Sequence, residues 1–282
     1  MNKWILGARL RTLPAAIAPV VVATALAGAE WNWLRAALAL KVGVWLQVGV
    51  NYANDYSDGV KGSDDNRIGP TRLVASGLAT AKQVKRAAFI SFGIASIAGL
   101  WLSLLSSPWL ILVGVAAVTA AWGYTGGKNP YGYSGLGEVS VFIFFGLTAT
   151  VGTYYAQTGR VTALSILCAV PMGLLACAIL AVNNIRDRAQ DELVGKRTLA
   201  VRLGDAKARK GFVVLLVIAH LSALATFVPW SILTLAVLPL TISISRAVMS
   251  GASGAELIPL LGRTGKLQMF FGALFAIALA IQ

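Results

Sequence analysis

Two pairs of acidic residues lie where long apolar stretches of the sequence end. Asp55 and Asp58 lie in NYANDYSDGVKGSDD, and Asp187 and Asp191 lie in NNIRDRAQDELVGKR. Residues three or four positions apart project from the same face of a helix, so each pair can reach one point. Carboxylates in such pairs suit Mg²⁺, which also keeps waters and binds substrate phosphate oxygens. We therefore predict that all four aspartates are catalytic and bind magnesium.

Amide and basic side chains accompany both acidic pairs. Magnesium held by carboxylates, with cations around it, is typical of a diphosphate site, where positive charge stabilises the leaving group. The candidates for substrate binding are Asn51, Asn54, Lys61, Arg67, Arg72, Asn184, Lys196 and Arg197. The other basic residues near these motifs are interpreted as membrane-surface charges: Lys82, Lys85, Arg86, Lys207, Arg209 and Lys210.

A third polar stretch, YTGGKNPYGYSGLGE, begins at Tyr124. Its glycines and proline break a helix and let the backbone run close to a ligand. Lys128 follows Tyr124 by about one helical turn, and we predict that both residues bind substrate. The alternative is a simple turn.

The composition indicates the class of protein that these motifs belong to. The 282 residues are 57% hydrophobic and 12% charged, with a mean hydropathy of +0.74, whereas soluble domains are about 25% charged. Helices of roughly 20 apolar residues cross a bilayer, and we predict an all-α polytopic membrane protein with nine transmembrane helices. The predicted segments are 13–29, 36–54, 87–105, 109–124, 139–157, 163–184, 211–228, 231–245 and 267–281.

The basic residues predict the orientation of these segments. With nine spans, 21 of the 24 Lys and Arg residues fall at the N-terminus and in the even-numbered loops. By the positive-inside rule these parts face the cytoplasm, and so do both acidic motifs. The net charge of +13 is thus an orientation signal in a cytoplasmic membrane protein, and we expect no nucleic-acid partner.

Other chemistries are not indicated. The single histidine, His220, has no cysteine or carboxylate near it in sequence and is predicted to be packed or to face a pore. Cys168 and Cys177 lie in one apolar run and are predicted to pack in the core. The nucleotide-binding pattern GxxxxGK[ST] does not occur.

The two acidic motifs also suggest an internal duplication. Asp55 and Asp187 are 132 residues apart, and Asp58 and Asp191 are 133 apart. Four predicted spans separate the motifs, so two parallel four-helix units would direct both into one central cavity. Chance spacing is the alternative. We predict a single transmembrane domain over 1–282.

These motifs resemble a known family. The pattern NDxxD at Asn54, Asp55 and Asp58, the pattern DxxxD at Asp187 and Asp191, and a tyrosine with a lysine four positions later resemble the UbiA superfamily of intramembrane prenyltransferases. Local strings such as RIGPTRLV and GKRTLAVRLGD are similar to members that act on 1,4-dihydroxy-2-naphthoate. Many relatives extend the first motif by a third aspartate. That position here is Gly62, with acids displaced to Asp64 and Asp65.

The resemblance implies that a polyprenyl chain is transferred from polyprenyl diphosphate to 1,4-dihydroxy-2-naphthoate, with loss of carbon dioxide, as in menaquinone biosynthesis. It implies Mg²⁺ on the aspartates and a hydrophobic substrate delivered from membrane lipid. Two alternatives stay open: a member of the superfamily with another acceptor, such as 4-hydroxybenzoate, and a secondary transporter with an acidic ion site. Tail length and oligomeric state are not predicted.

Overall fold

The described secondary structure is helical throughout. The computed structural model describes residues 2–63 and 69–281, so the predicted binding residue Arg67 and the displaced acids Asp64 and Asp65 lie outside the described residues. The α-helices are α1 Lys3–Ala8, α2 Pro14–Leu26, α3 Trp33–Val60, α4 Ala81–Leu105, α5 Trp109–Gly123, α6 Gly137–Val141, α7 Ala149–Thr158, α8 Ala163–Leu193, α9 Leu199–Leu203, α10 Asp205–Leu224, α11 Leu238–Met249 and α12 Leu257–Ala280. The all-α prediction is confirmed.

Several of these helices can cross a membrane. Five helical stretches of the described chain are long and apolar enough, and a sixth counts if Lys3–Thr12 and α2, bent by 53°, form one span. Each of the nine predicted segments coincides with helix, but the number of nine crossings stays a prediction. Large apolar side chains such as Leu104 and Trp109 are exposed, as expected for surfaces that face lipid.

The two helices that carry the acidic motifs continue beyond their apolar parts. Helix α3 begins after Asn32, whose side chain accepts two backbone N–H groups, and it continues to Val60. Helix α8 begins with a capping box at Thr162 and ends at Leu193. Each motif therefore occupies the last turns of a long helix, and its two carboxylates are separated by helical spacing, as predicted.

The core is centred on α8, which packs against α10, α12 and the π-helical turn 142–148 that joins α6 to α7. At the crossing with this turn, a Cβ atom on Gly146 would lie 2.6 Å from the Cα atom of Gly173. Only glycine permits such a close approach of two backbones. Helix α3 packs mainly against α4, and α2 packs against α12.

The residues outside the motifs mostly pack as predicted. Cys168 and Cys177 are buried and free, and buried His220 shares a hydrogen bond of 3.0 Å with the hydroxyl of Thr241. The internal duplication of a four-helix unit stays a prediction.

One interpretation of a surface charge was wrong. Arg209 is buried, forms two hydrogen bonds to the carboxylate of Asp205, and donates to the carbonyl oxygens of Val248 and Ala252. It joins the start of α10 to the end of α11. The carbonyl groups that it meets are about 40 residues away in sequence, so the local charge pattern could not reveal them.

Candidate active site

A cavity of about 770 Å³ lies among α2, α3, α4, α5, α8 and the α6–α7 segment. One end is lined by polar residues from both acidic motifs, including Asp58, Asp187 and Asp191. The rest is lined mainly by apolar side chains, among them Val42 and Phe145. The two motifs, distant in sequence, therefore open on the same cavity.

The carboxylate of Asp58 lies beside two basic side chains and a phenol at this end. Its carboxylate is buried and accepts a hydrogen bond of 2.6 Å from the hydroxyl of Tyr133. The ammonium of Lys196 lies 3.2 Å from Oδ2, and the guanidinium of Arg72 lies 3.7 Å from the same atom. Tyr133 and Lys196 are far from α3 in sequence, whereas Arg72 belongs to the loop that follows it.

Lys196 joins the two motifs directly. Its Nζ atom lies 3.2 Å from Asp58 and 3.9 Å from Asp191. The backbone N–H of Lys196 donates to the carbonyl of Asp191, which fixes the turn after α8. The ammonium group of Lys196 thus lies between the carboxylates of Asp58 and Asp191.

Tyr133 is a site residue that was not predicted from the sequence. The Nζ atoms of Lys61 and Lys196 lie 4.8 and 4.6 Å from its ring centroid, within the range of cation–π attraction. Burial lowers the pKa of Lys61, an effect that Asp58 opposes and Lys196 reinforces. Tyr133 lies in the third polar stretch, and its position in that stretch was the only signal in the sequence.

Asp55 makes different contacts from Asp58. Its carboxylate oxygens accept the backbone N–H groups of Leu73 and Val74, at 2.8 and 3.1 Å. These residues follow Arg72, so Asp55 fixes the loop that presents Arg72 to Asp58. Asp55 does not line the cavity. That it binds a metal ion remains a prediction, and in this structure both oxygens are engaged by the loop.

Asp187 is paired with its neighbour in sequence. Arg186 donates two hydrogen bonds of 2.7 Å to the two carboxylate oxygens, and its side chain is almost fully buried. A bidentate pair of this kind holds a carboxylate in a fixed orientation. Asp187 therefore lines the cavity as half of an ion pair.

The three predicted amides form hydrogen bonds within the protein. Asn54 lines the cavity, and its Oδ1 atom accepts from the hydroxyl of Thr125 at 2.8 Å. Asn51 also lines it but donates to the carbonyl of Ala8, which attaches the N-terminal segment to α3. Asn184 donates to Glu138 at 2.9 Å.

The third polar stretch is only partly at the cavity. Tyr124 lines it, and its phenol can donate a hydrogen bond there. Lys128 and Arg197 are exposed and do not line the cavity, so the structure does not bring these two predicted residues to the site.

The donors at the polar end fit a magnesium ion. Among residues 2–63 and 69–281, no group of three or more His, Cys, Asp and Glu side chains lies together, so the four predicted carboxylates are not one compact ligand set. Asp58 and Asp191, however, share a cation between them, and the oxygen of Asn54 lines the same cavity. Magnesium commonly uses one or two carboxylates and takes its other ligands from waters and phosphate.

Comparison with known proteins agrees with this fold and site. The model of the UbiA prenyltransferase family matches residues 16–256. The chain is 48% identical to a 1,4-dihydroxy-2-naphthoate octaprenyltransferase of Mycobacterium tuberculosis, over 99% of this chain and 97% of the relative. A protein of the same name from Escherichia coli is 38% identical, over 99% and 95%.

A solved structure has the same fold. A UbiA homolog from Archaeoglobus fulgidus, bound to GPP and Mg²⁺, superposes with a TM-score of 0.68 at 14% identity, covering all of both chains. The fold and the site define an integral membrane protein with an acidic site at the end of an apolar cavity. The chain belongs to the UbiA prenyltransferase family.

Proposed function

We propose that this protein transfers a polyprenyl chain from polyprenyl diphosphate to 1,4-dihydroxy-2-naphthoate with loss of carbon dioxide. The product is the reduced form of demethylmenaquinone, an intermediate of menaquinone biosynthesis. The observation that carries the proposal is the meeting of Asp58, Asp191 and Lys196 at the polar end of an apolar cavity. The names of relatives at 38–48% identity support the choice of acceptor.

The polar end suits the diphosphate. Lys196 and Arg72, both buried, lie within 4 Å of Asp58 and can turn their donors to phosphate oxygens. Asp58 and Asp191, with Asn54, would hold Mg²⁺, which when bound neutralises charge on the leaving diphosphate. The binding role of Asp187 is limited by its pairing with Arg186.

The apolar part of the cavity suits the tail and protects the reaction. An isoprenoid chain gains about 0.8 kcal/mol for each CH₂ group that it buries. The same walls exclude water. The allylic cation left by the departing diphosphate therefore reacts with the aromatic ring and not with water. The ring carbon that bears the carboxylate forms the new bond, and loss of carbon dioxide restores the aromatic ring.

The remaining site predictions carry over as proposals. We propose a single transmembrane domain over 1–282 in the cytoplasmic membrane, with the N-terminus and the site on the cytoplasmic side. The distribution of 21 basic residues against 3 supports this orientation. The substrate-binding roles of Arg67 and the exposed Lys128 and Arg197 rest on the motifs alone, whereas Asn51 and Asn184 also line the cavity.

Product analysis tests the proposal. Membranes containing the protein receive labelled prenyl diphosphate and a panel of aromatic acids, with Mg²⁺ or with EDTA. We expect a prenylated, decarboxylated product from 1,4-dihydroxy-2-naphthoate and none in EDTA. Product from a different acid would identify that acid as the acceptor in place of 1,4-dihydroxy-2-naphthoate. No product from any acid would favour a transporter.

A further inference from the structure

The cavity extends across most of the depth of the protein. Helix α3 lines it from Ala39 to Asp58, a distance of about 28 Å along the helix axis. The hydrocarbon core of a bilayer is about 30 Å thick. A tail that extends from the acidic end therefore has a channel about as long as the hydrocarbon core is thick.

Two glycines face this channel without a packing partner. Gly114 on α5 and Gly152 on α7 both line the cavity, and a Cβ atom on either would meet no atom within 4 Å. Glycines at helix crossings differ, since a Cβ on Gly272 would lie 2.8 Å from the Cβ of Ala18. Glycine weakens a helix interior relative to alanine. Helix packing does not account for Gly114 and Gly152, so the space in front of them needs another explanation.

We propose that Gly114 and Gly152 leave room for the prenyl tail and so determine the tail length that the cavity accepts. This inference rests on the proposed prenyl-transfer function. A larger side chain at either position would extend into the channel, because no protein atom stands in its way. It would exclude the part of a tail beyond it and leave the diphosphate end unaffected.

The two positions lie at different depths. Tyr124 and Gly137 mark the acidic end, where a Cβ on Gly137 would lie 2.9 Å from the Tyr124 hydroxyl. Gly114 precedes Tyr124 by ten residues, about 15 Å of helix, and Gly152 follows Gly137 by fifteen residues, about 22 Å. A side chain at position 114 should therefore begin to exclude tails at a shorter length than the same side chain at position 152 does.

Binding measurements test the inference apart from catalysis. Full-length protein in detergent with Mg²⁺, without acceptor, is titrated with geranyl, farnesyl, geranylgeranyl and longer prenyl diphosphates. Gly114→Leu and Gly152→Leu are compared with Gly93→Leu, a matched control on α4. Gly93 also has open space at Cβ, but it is exposed and does not line the cavity.

We expect Gly114→Leu to weaken binding of long diphosphates relative to geranyl diphosphate by at least about tenfold, which corresponds to about 1.4 kcal/mol. Gly152→Leu should do so only for longer tails, and Gly93→Leu should match the wild type. Unchanged length preference in both cavity variants would overturn the inference, as would an equal change in Gly93→Leu. Product formation by the wild type is scored separately, so failure of the proposed reaction appears as binding without product.

Discussion

The contacts of Asp55 separate two explanations of its importance. As a magnesium ligand it would act on the diphosphate, whereas the structure has its carboxylate holding the backbone N–H groups of Leu73 and Val74. The change to make is Asp55→Ala, with Asp55→Asn beside it. Alanine removes both acceptors, and asparagine keeps one oxygen and places an amide NH₂ group against the second N–H.

The size of the effect follows from these two bonds. Asp55 is 1% exposed and Leu73 is fully buried, so water replaces the lost acceptors poorly. Each unsatisfied buried donor costs about 1–3 kcal/mol, and Asp55→Ala should destabilise the protein by about 2–6 kcal/mol on the same basis. Asp55→Asn should lose roughly half of this. Both variants should also lose turnover, because the loop no longer places Arg72 beside Asp58.

The assay compares thermal unfolding in detergent with the Mg²⁺ concentration needed for half-maximal turnover. For Asp55 variants we expect a lower unfolding temperature without metal and a nearly normal Mg²⁺ requirement in the residual activity. Asp58→Asn is the contrasting variant, and its turnover should fall about 100- to 1000-fold, as for other preorganised electrostatic groups, with a raised Mg²⁺ requirement. Unchanged stability of Asp55→Ala, together with a strongly raised Mg²⁺ requirement, would refute the reasoning and restore Asp55 as a ligand.

Three further variants test other contacts of the described chain. Tyr133→Phe loses the hydrogen bond to Asp58 but keeps the ring that both lysines approach, so kcat should fall about tenfold for a charge-assisted bond of about 1.5 kcal/mol; an unchanged kcat would remove that bond from the mechanism. Lys196→Met leaves two facing carboxylates without their shared cation, so without Mg²⁺ the protein should unfold at lower temperature, and added Mg²⁺ should restore part of the loss; a deficit that Mg²⁺ does not reduce would contradict a shared cation site. Arg209→Ala should destabilise the protein by about 1–3 kcal/mol, because it leaves the carbonyl groups of Val248 and Ala252 without their charged donor. The control Lys210→Ala, at an exposed position, should change little in the same thermal assay.

The helices and their order could be predicted from hydropathy. Apolar runs of about 20 residues can be recognised from hydropathy without knowledge of tertiary contacts. Each predicted segment coincides with helix. The motif residues could be placed on helices for the same reason. The ends were less accurate: α12 begins at Leu257, ten residues before the predicted segment, because a helix can continue into polar sequence once its apolar part is packed.

The contacts within the site could not be predicted. Spacing alone puts Asp55 and Asp58 on one face, yet Asp55 meets a loop about 18 residues later and Asp58 meets Tyr133, 75 residues away. A three-residue step on a helix also turns the side chain by about 60° from perfect alignment. That turn is enough to give two neighbouring carboxylates different partners, and only the packed loop decides which partners.

In each acidic motif, one carboxylate binds a backbone or arginine partner and the other lies beside Lys196. Asp55 holds the loop and Asp187 is neutralised by Arg186, while Asp58 and Asp191 share Lys196. Asp58 also lies beside Arg72, and Lys61 lies over the ring of Tyr133, which donates to Asp58. Asp58 and Asp191 therefore lie among basic side chains at the polar end of an apolar cavity. Such a site attracts an anion, and a metal ion alone would be repelled by the lysines. We therefore expect diphosphate and Mg²⁺ to bind cooperatively, each weakly without the other, which titration of one ligand at fixed levels of the other measures directly.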